Sequence, residues 1–282
     1  MINKEVLPID VCLPVLNGEK YIKDSINSVL NQDYQKFNLI IMLNKSTDNS
    51  KKICKKFEKK HKKVKLFYQQ KKVSIDKNWY DCIKKAKSKN IIIIGHDDIW
   101  ANKQYLNNLS KSLKIDCIPF GVVQMFGRKK LNFLSNKKNF SFDNKINFIN
   151  RILFSLHPSI LGKNNYIYGL HNRNFIIKIF KKFINEKKSI IIDGDNYFNY
   201  EILKFKKFIR VKNSIVKKRL STQELSKRNI LEIISYQFFY FFKFFKYNNF
   251  FEVIILLILI PFGIAINIIF LILNRLINYK NN

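Results

Sequence analysis

Two adjacent carboxylates, Asp97 and Asp98, directly follow a run of four isoleucines at 91–94. A carboxylate pair at the end of a buried strand can hold a hard divalent cation. Mg²⁺ or Mn²⁺ takes one or two protein carboxylates and fills its other positions with water and phosphate oxygens. His96 precedes the pair and reads as a group that packs against or orients Asp97 rather than as a ligand. Other polar side chains stand at comparable places. Pro14, Leu16, Asn17 and Glu19 follow or end the apolar run 9–15, and Asn44, Ser46 and Asp48 follow the run 39–43. The four cysteines (Cys12, Cys54, Cys82, Cys117) are scattered, with no CxxC and no metal-ligand spacing. That excludes a disulfide framework or a structural zinc site and fits a reducing compartment.

These residues need elements to bring them together. Residues 9–15 read as a strand ended by the Asn17-Gly18 turn. Residues 19–32 carry Ile22, Ile26, Val29 and Leu30 on one helical face. A second strand at 39–43 leads to Ser46, Thr47 and Asp48, candidate caps for a helix with Ile53 and Phe57. A third strand spans 64–68. A helix over 75–86 follows, with Ile75, Trp79, Cys82, Ile83 and Ala86 on one face. The isoleucines at 91–94 are apolar on both sides, as the middle of a parallel sheet requires. Strands alternating with helices predict a doubly wound α/β domain, a mostly parallel sheet flanked by helices. In such sheets ligands sit beyond the carboxyl ends of the strands, which is where Asn17, Asn44 and the acidic pair fall.

The chain has 282 residues, with 52 Lys+Arg against 20 Asp+Glu, formally +32. That balance favours anionic partners: acidic lipid, nucleic acid or phosphorylated small molecules. Almost all of the charge is lysine, and Lys, Asn, Ile and Phe are together abundant, so codon bias also accounts for part of the excess. No RNP, zinc-finger or helix-turn-helix pattern is present, and no nucleic-acid partner is expected. Residues 253–273 (VIILLILIPFGIAINIIFLIL) carry no charge, and about 30 Å of helix would cover one hydrocarbon thickness. Pro261 and Gly263 permit a kink or a re-entrant hairpin instead of a straight span. Residues 230–251 before it are dense in Phe and Tyr, with Lys243 and Lys246, a composition suited to a headgroup interface. Residues 1–227 are thus expected to form the α/β domain and 228–282 a helical membrane-association region, with the basic part cytoplasmic. Met1 to Asp10 does not read as a signal peptide.

Four ordered segments then resemble one family. Residues 11–32 (VCLPVLNGEKYIKDSINSVLNQ) are similar to an opening strand, Pro-x-Tyr-Asn-Gly-Glu turn and first helix. Residues 39–50 (LIIMLNKSTDNS) are similar to a second strand and Ser-Thr-Asp motif. Residues 73–100 (VSIDKNWYDCIKKAKSKNIIIIGHDDIW) resemble the donor-side helix and acidic motif. Residues 193–222 (DGDNYFNYEILKFKKFIRVKNSIVKKRLST) resemble the acceptor-side Asp motif and a later Arg segment. Together they resemble the family 2 glycosyltransferases with the GT-A fold, of the bacterial cell-surface polysaccharide type.

The resemblance implies a nucleotide-sugar donor, a UDP-sugar first, a divalent cation (Mg or Mn), and an inverting transfer to a glycan or lipid-linked acceptor at the cytoplasmic membrane face. It implies Asp98 as the direct metal ligand, with Asp97 on the ribose or a metal-bound water. Lys77 and Arg219 would lie near the diphosphate, and Pro14, Leu16, Glu19 and Asn44 on the donor side. Asp195 would be the general base, with Asp193 second to it. His157, His171 and the stretch from Ile167 to Arg173 would shape the acceptor side. Three positions depart from the family pattern: Leu16 for the turn's Tyr, Leu43 for the first acidic residue of the second motif, before Asn44, and Gly95 for the leading Asp of the third. Those departures leave one alternative, a relative without catalysis that acts as a scaffold in a glycan-assembly complex.

Overall fold

The computed structural model describes residues 7–126, 165–186, 198, 201–202, 207–219 and ten helical positions between 254 and 269. β1 (Ile9–Val15) is buried at all seven residues. It is central because both of its edges are paired: β2 (Phe37–Leu43) on one side and β4 (Asn90–Ile93) on the other, both parallel. β3 (Val64–Tyr68) adds to β2 in parallel. The short β7 (His171–Asn172) closes the other edge antiparallel to β4, giving the order β3-β2-β1-β4-β7. Pro14 is tolerated in the middle strand because β4 pairs only as far as Cys12, so its missing N–H breaks no ladder bond.

The crossover helices follow from right-handed connections. α1 (Ile22–Leu30) turns Ile22, Ile26 and Val29 fully inward, the 3.6-residue face that the sequence predicts. It begins later than residue 19, because the Gly18 carbonyl accepts the N–H groups of Tyr21 and Ile22 in a tight turn first. α2 (Ser50–Lys60) begins after the predicted caps. α3 (Ile75–Lys85) is capped by Ser74, whose hydroxyl accepts the Lys77 N–H at 3.3 Å. Its Cys82 and Ile83 are buried as expected, but Ile75 is 63% exposed. The inward place in that first turn belongs to Asn78, whose amide donates to the Met42 carbonyl at 3.1 Å.

The second, three-stranded sheet was not anticipated. β5 (Ile99–Trp100), β6 (Cys117–Phe126) and β8 (Lys207–Arg219) pair in the order β5-β8-β6. β6 and β8 are parallel, with a register shift between Gly121 and Val122. α4 (Tyr105–Lys111) packs against this sheet, and α5 (Arg173–Glu186) packs against α3. The architecture is α/β with a mixed sheet flanked by helices.

Residues 127–164 lie outside the described residues, as does most of 228–282. Among the described residues no helix is long and apolar enough to cross a membrane. Of the described C-terminal positions, Leu259 packs against the core, while Ile254, Leu257, Ile258, Phe262 and Ile269 are exposed.

Candidate active site

Three strand ends meet at one edge of the main sheet. After β1 the chain turns through Asn17, whose φ of 49° is left-handed. The turn is tied to the segment after β2 by bonds that include Asn17 N–H to Ser46 Oγ (3.0 Å), Gly18 N–H to Ser50 Oγ (2.8 Å), Glu19 N–H to Asp48 Oδ2 (2.8 Å) and Thr47 N–H to Asn17 Oδ1 (3.0 Å). The Ser-Thr-Asp motif therefore works mainly as a brace between loops. Asp48 also takes the Ser50 N–H at 3.0 Å, and this network of donors outweighs burial to hold its carboxyl below the usual range. Both Glu19 oxygens accept from Asn49, at 3.0 and 2.6 Å, which puts an anion at the start of α2.

Asn44 is buried and fully engaged. Its amide donates to the Val73 carbonyl at 2.8 Å, and its oxygen accepts from Lys45 and Val73 at 2.9 and 3.1 Å. It clamps the approach to α3 against the end of β2. Leu16 stands half-exposed at the strand tip, and Pro14 is buried within β1. Lys77 pairs with Asp81 one helical turn away at 2.5 Å, and Gln69 donates to the same carboxylate at 3.0 Å.

The turn after β4 carries the acidic pair. Asp97 Oδ1 and Asp98 Oδ2 lie 3.1 and 2.6 Å from the point where a Cβ on residue 95 would stand, so the two carboxylates converge on Gly95. His96 packs its ring edge over Gly18, 2.8 Å from where a Cβ would be, which joins the β1 and β4 turns. Burial holds its imidazole below the usual pKa, against the pull of Asp97 and Asp48. Asp97 is half-exposed. Asp98 is 2% exposed and accepts from the Tyr168 hydroxyl at 2.6 Å and the Arg219 N–H at 3.3 Å. Burial pushes its carboxyl up to about 6, with Lys218 opposing and Asp97 adding to the shift. Two converging carboxylates, one reachable, suit a divalent cation that draws its other ligands from phosphate and water. Among the described residues no third His, Cys, Asp or Glu joins them.

Arg219 comes to the same place from β8. Its guanidinium carbon lies 3.9 Å from the Tyr21 ring centre and 4.4 Å from that of Phe126, and its Nε is buried without a partner among the described residues. A cation held between two rings is fixed in place while its remaining N–H groups stay free to bind an anion. The structure thus brings Asp97, Asp98, His96 and Arg219 together. Asp193, Asp195 and His157 lie outside the described residues.

Two acceptor-side expectations change. Arg173 donates from Nε to the Ile83 carbonyl (3.3 Å) and from a terminal nitrogen to the Lys84 carbonyl (3.0 Å), capping α3. His171 is fully buried, edge-on to Phe198 at 5.6 Å, so it is a core residue rather than an acceptor contact. Neither of its ring nitrogens reaches hydrogen-bond geometry with a described residue. Burial lowers its pKa to about 4, and the nearby Ile167 and Tyr166 backbone offsets this only in part.

In the unfolded chain this imidazole takes up a proton near pH 6.5, and in the native state only near 4. Stability from this group is therefore present above pH 6.5 and lost as pH falls toward 4. His171→Phe is expected to lose about 2 kcal/mol less than the parent protein between pH 7.5 and 5 in urea unfolding. The opposite trend from Asp98 is common to both proteins and cancels. Parallel pH profiles would contradict the buried-neutral assignment.

Tyr168 falls in the stretch expected on the acceptor side, but its hydroxyl bonds to Asp98, a contact that no local spacing announces. The cysteines carry no chemistry here: Cys12, Cys54 and Cys82 are buried, and burial pushes the Cys54 thiol up to about 12. A shallow cavity of about 320 Å³ opens between α1 and β5, lined by Asp24, Asn27, Asn31, Trp100 and Asn102 among others. It includes neither acidic residue of the pair nor Arg219, so it is separate from the carboxylate edge.

Known proteins resemble this chain in sequence and in fold. The chain is 33% identical over 91 residues to glycosyltransferase GlyG of Streptococcus pneumoniae, a match covering 32% of this chain and 30% of that protein. It is 23% identical over 109 residues to the putative teichuronic acid biosynthesis glycosyltransferase TuaG of Bacillus subtilis, covering 39% and 43%. The matches to these relatives thus span less than half of their length. In fold, it superposes on S. aureus TarS 1–349 in complex with UDP-GlcNAc with a TM-score of 0.61 at 15% identity, covering 86% of this chain and 68% of that one. The mannosyltransferase PcManGT of Pyrobaculum calidifontis, in complex with GDP-Man and Mn²⁺, gives 0.55 at 13% identity, covering 93% and 74%. The family model described as Glycosyl transferase family 2 matches residues 10–187, most of the chain and every strand of the main sheet, and the chain belongs to that family.

Proposed function

We propose that this chain moves a sugar from a nucleotide-diphosphate donor to a glycan or lipid-linked acceptor, with inversion, in cell-surface polysaccharide synthesis. The observation that carries this reading is the convergence of Asp97 and Asp98 at the carboxyl edge of β4, with the Arg219 backbone bonded to Asp98 and its guanidinium held against Tyr21. A leaving nucleoside diphosphate gains negative charge as the glycosidic bond breaks. A divalent cation at this edge would supply charge stabilisation there. Asp97, with Asp98 behind it, would hold that cation, and the structural relatives with bound Mn²⁺ support the choice of metal. The Arg219 guanidinium, stacked between Tyr21 and Phe126, would supply a second positive group to the same oxygens. The donor chosen first is a UDP-sugar, in line with the UDP-GlcNAc bound by TarS. Asn44 and Glu19 are spent on the protein's own loops, so base recognition rests on Leu16 and backbone groups rather than on a carboxylate.

The acceptor hydroxyl must lose its proton as it attacks. Asp195 takes that role in this proposal, with Asp193 second. Asp195→Asn is expected to lower transfer by about 10²–10⁴-fold, the usual range for a positioned general base, while nucleotide-sugar affinity stays within a factor of a few. Equal losses of donor binding and turnover would remove Asp195 from that role. The test of the whole reading is turnover of UDP-, GDP-, dTDP- and CMP-sugars with Mn²⁺ or Mg²⁺. Tight donor binding with no turnover on any acceptor would instead favour the scaffold reading.

The same proposal places the enzyme at the cytoplasmic face of a membrane. Support comes from the exposed apolar side chains at Ile254, Leu257, Ile258, Phe262 and Ile269 and from α2. The outer half of α2 carries Lys51, Lys55, Lys59 and Lys52, Lys56, Lys60, two exposed rows at i, i+4 spacing. Such rows repel, and Lys51 and Lys52 also oppose the helix dipole, so they weaken the helix they decorate. An anionic headgroup surface offsets that, at about 1 kcal/mol per lysine. The full-length protein is expected to sediment with vesicles containing phosphatidylglycerol more than with pure phosphatidylcholine. Lys51, Lys55 and Lys59 changed together to Glu should weaken this at least about tenfold. Equal sedimentation with both vesicle types would contradict the electrostatic part.

A further inference from the structure

Resting on the glycosyltransferase reading, we infer that Asp98 is a positioning residue, held by the Tyr168 hydroxyl, and that Asp97 alone contacts the donor's cation. Asp98 has 2% of its surface exposed and Tyr168 has 3%, and their bond is 2.6 Å. The other Asp98 oxygen takes the Arg219 N–H at 3.3 Å, and the Asp98 N–H donates back to the Gly95 carbonyl at 3.2 Å. Tyr168 is itself fixed: the Tyr105 hydroxyl donates to its carbonyl at 2.9 Å, and Tyr105 stacks on Trp100 at 4.7 Å. The acidic turn is thus pinned by the 3₁₀ turn Asn165–Tyr168, by α4 and by the end of β8. A carboxylate buried this deeply and occupied at both oxygens is poorly placed to receive a hydrated ion from solvent. Its half-exposed neighbour is open to one. Ion-binding carboxylates depend on such outer hydrogen bonds for orientation, and losing one typically costs 10–100-fold in metal affinity.

This arrangement divides the pair by role. Asp98 couples the tip of β4 to β8, so Arg219 and the ion-binding carboxylate are set in register through one side chain. Tyr168 supplies the bond that keeps Asp98 facing inward. Neither role needs contact with the reacting atoms.

The test is Mn²⁺ binding to the full-length protein in the presence of UDP, followed by electron paramagnetic resonance, with Asp97→Asn, Asp98→Asn and Tyr168→Phe. Asn at 98 keeps the shape and still offers an oxygen to Tyr168. The expected result is no detectable bound Mn²⁺ for Asp97→Asn, and affinities reduced about tenfold for the other two with a broadened bound-ion spectrum. Circular dichroism confirms that each variant is folded, and the spectrum separates misplacement of the ion from simple loss of stability. Asp98→Asn losing the ion as completely as Asp97→Asn would overturn the inference. So would Tyr168→Phe with unchanged affinity and spectrum. If the parent protein takes up no Mn²⁺ with UDP and turns over no nucleotide sugar, both this inference and the glycosyltransferase proposal fail together.

Discussion

Asp97→Asn is expected to reduce sugar transfer by about 10²–10³-fold, the loss typical of removing one preorganised group that meets developing charge. The change leaves size and hydrogen-bonding shape almost intact. Asp97 is half-exposed, so stability should move by no more than about 0.5 kcal/mol. The defect should therefore appear in turnover and cation affinity and not in urea unfolding. A compensating rise in activity at high Mn²⁺ is expected if Asp97 binds the ion, because mass action can refill a weakened site. A variant that unfolds early, or that transfers sugar at the parental rate, would remove Asp97 from the chemistry.

The second large effect is expected at Gly95, where the family pattern has an acidic residue. Gly95→Asp should inactivate the enzyme rather than improve its site, and Gly95→Ala should do most of the same damage. A Cβ there would stand 2.6 Å from Asp98 Oδ2 and 3.1 Å from Asp97 Oδ1. A flexible surface side chain could swing away from such a contact. Asp98 cannot do so freely, because Tyr168 and the Arg219 backbone hold it in a buried place. Moving it leaves a buried hydroxyl or amide unpaired, at about 1–3 kcal/mol each. The expected outcome is a fall in transfer of at least about tenfold for Gly95→Ala, with a lower unfolding midpoint. Parental activity and stability in Gly95→Ala would show that the acidic turn is looser than its hydrogen bonds indicate.

Legibility in the sequence followed the range of the interactions involved. β1, β2 and β4 were readable because a central parallel strand must be apolar on both faces, and the edge strand β3 from its short apolar run, with nothing distant needed to see either. The inward face of α1 was readable from Ile22, Ile26 and Val29 for the same local reason. Ile75 was misplaced because a helix period cannot show that Asn78 takes the inward position to satisfy the ends of β1 and β2. The second sheet was missed because β5 has two residues and pairs with a strand more than a hundred positions later. Site residues divide likewise. Asp97 and Asp98 announced themselves as an acidic pair after a buried run, whereas Tyr168 reaches Asp98 from 70 positions away. Glu19, Asn44 and His171 carry groups that suggest chemistry, yet the fold uses the first two as loop braces and the third as core. Spacing does not separate these uses; burial and partners do.

The central claim is that the edge holding Asp97, Asp98 and Arg219 binds a nucleotide diphosphate through a divalent cation. Calorimetric titration of UDP-GlcNAc into the full-length protein, with Mn²⁺ and then with EDTA, tests it most directly. The account expects saturable one-to-one binding with Mn²⁺, at least about tenfold weaker with EDTA, and equally weak in Asp97→Asn with Mn²⁺ present. Binding of the same strength in all three samples would contradict it.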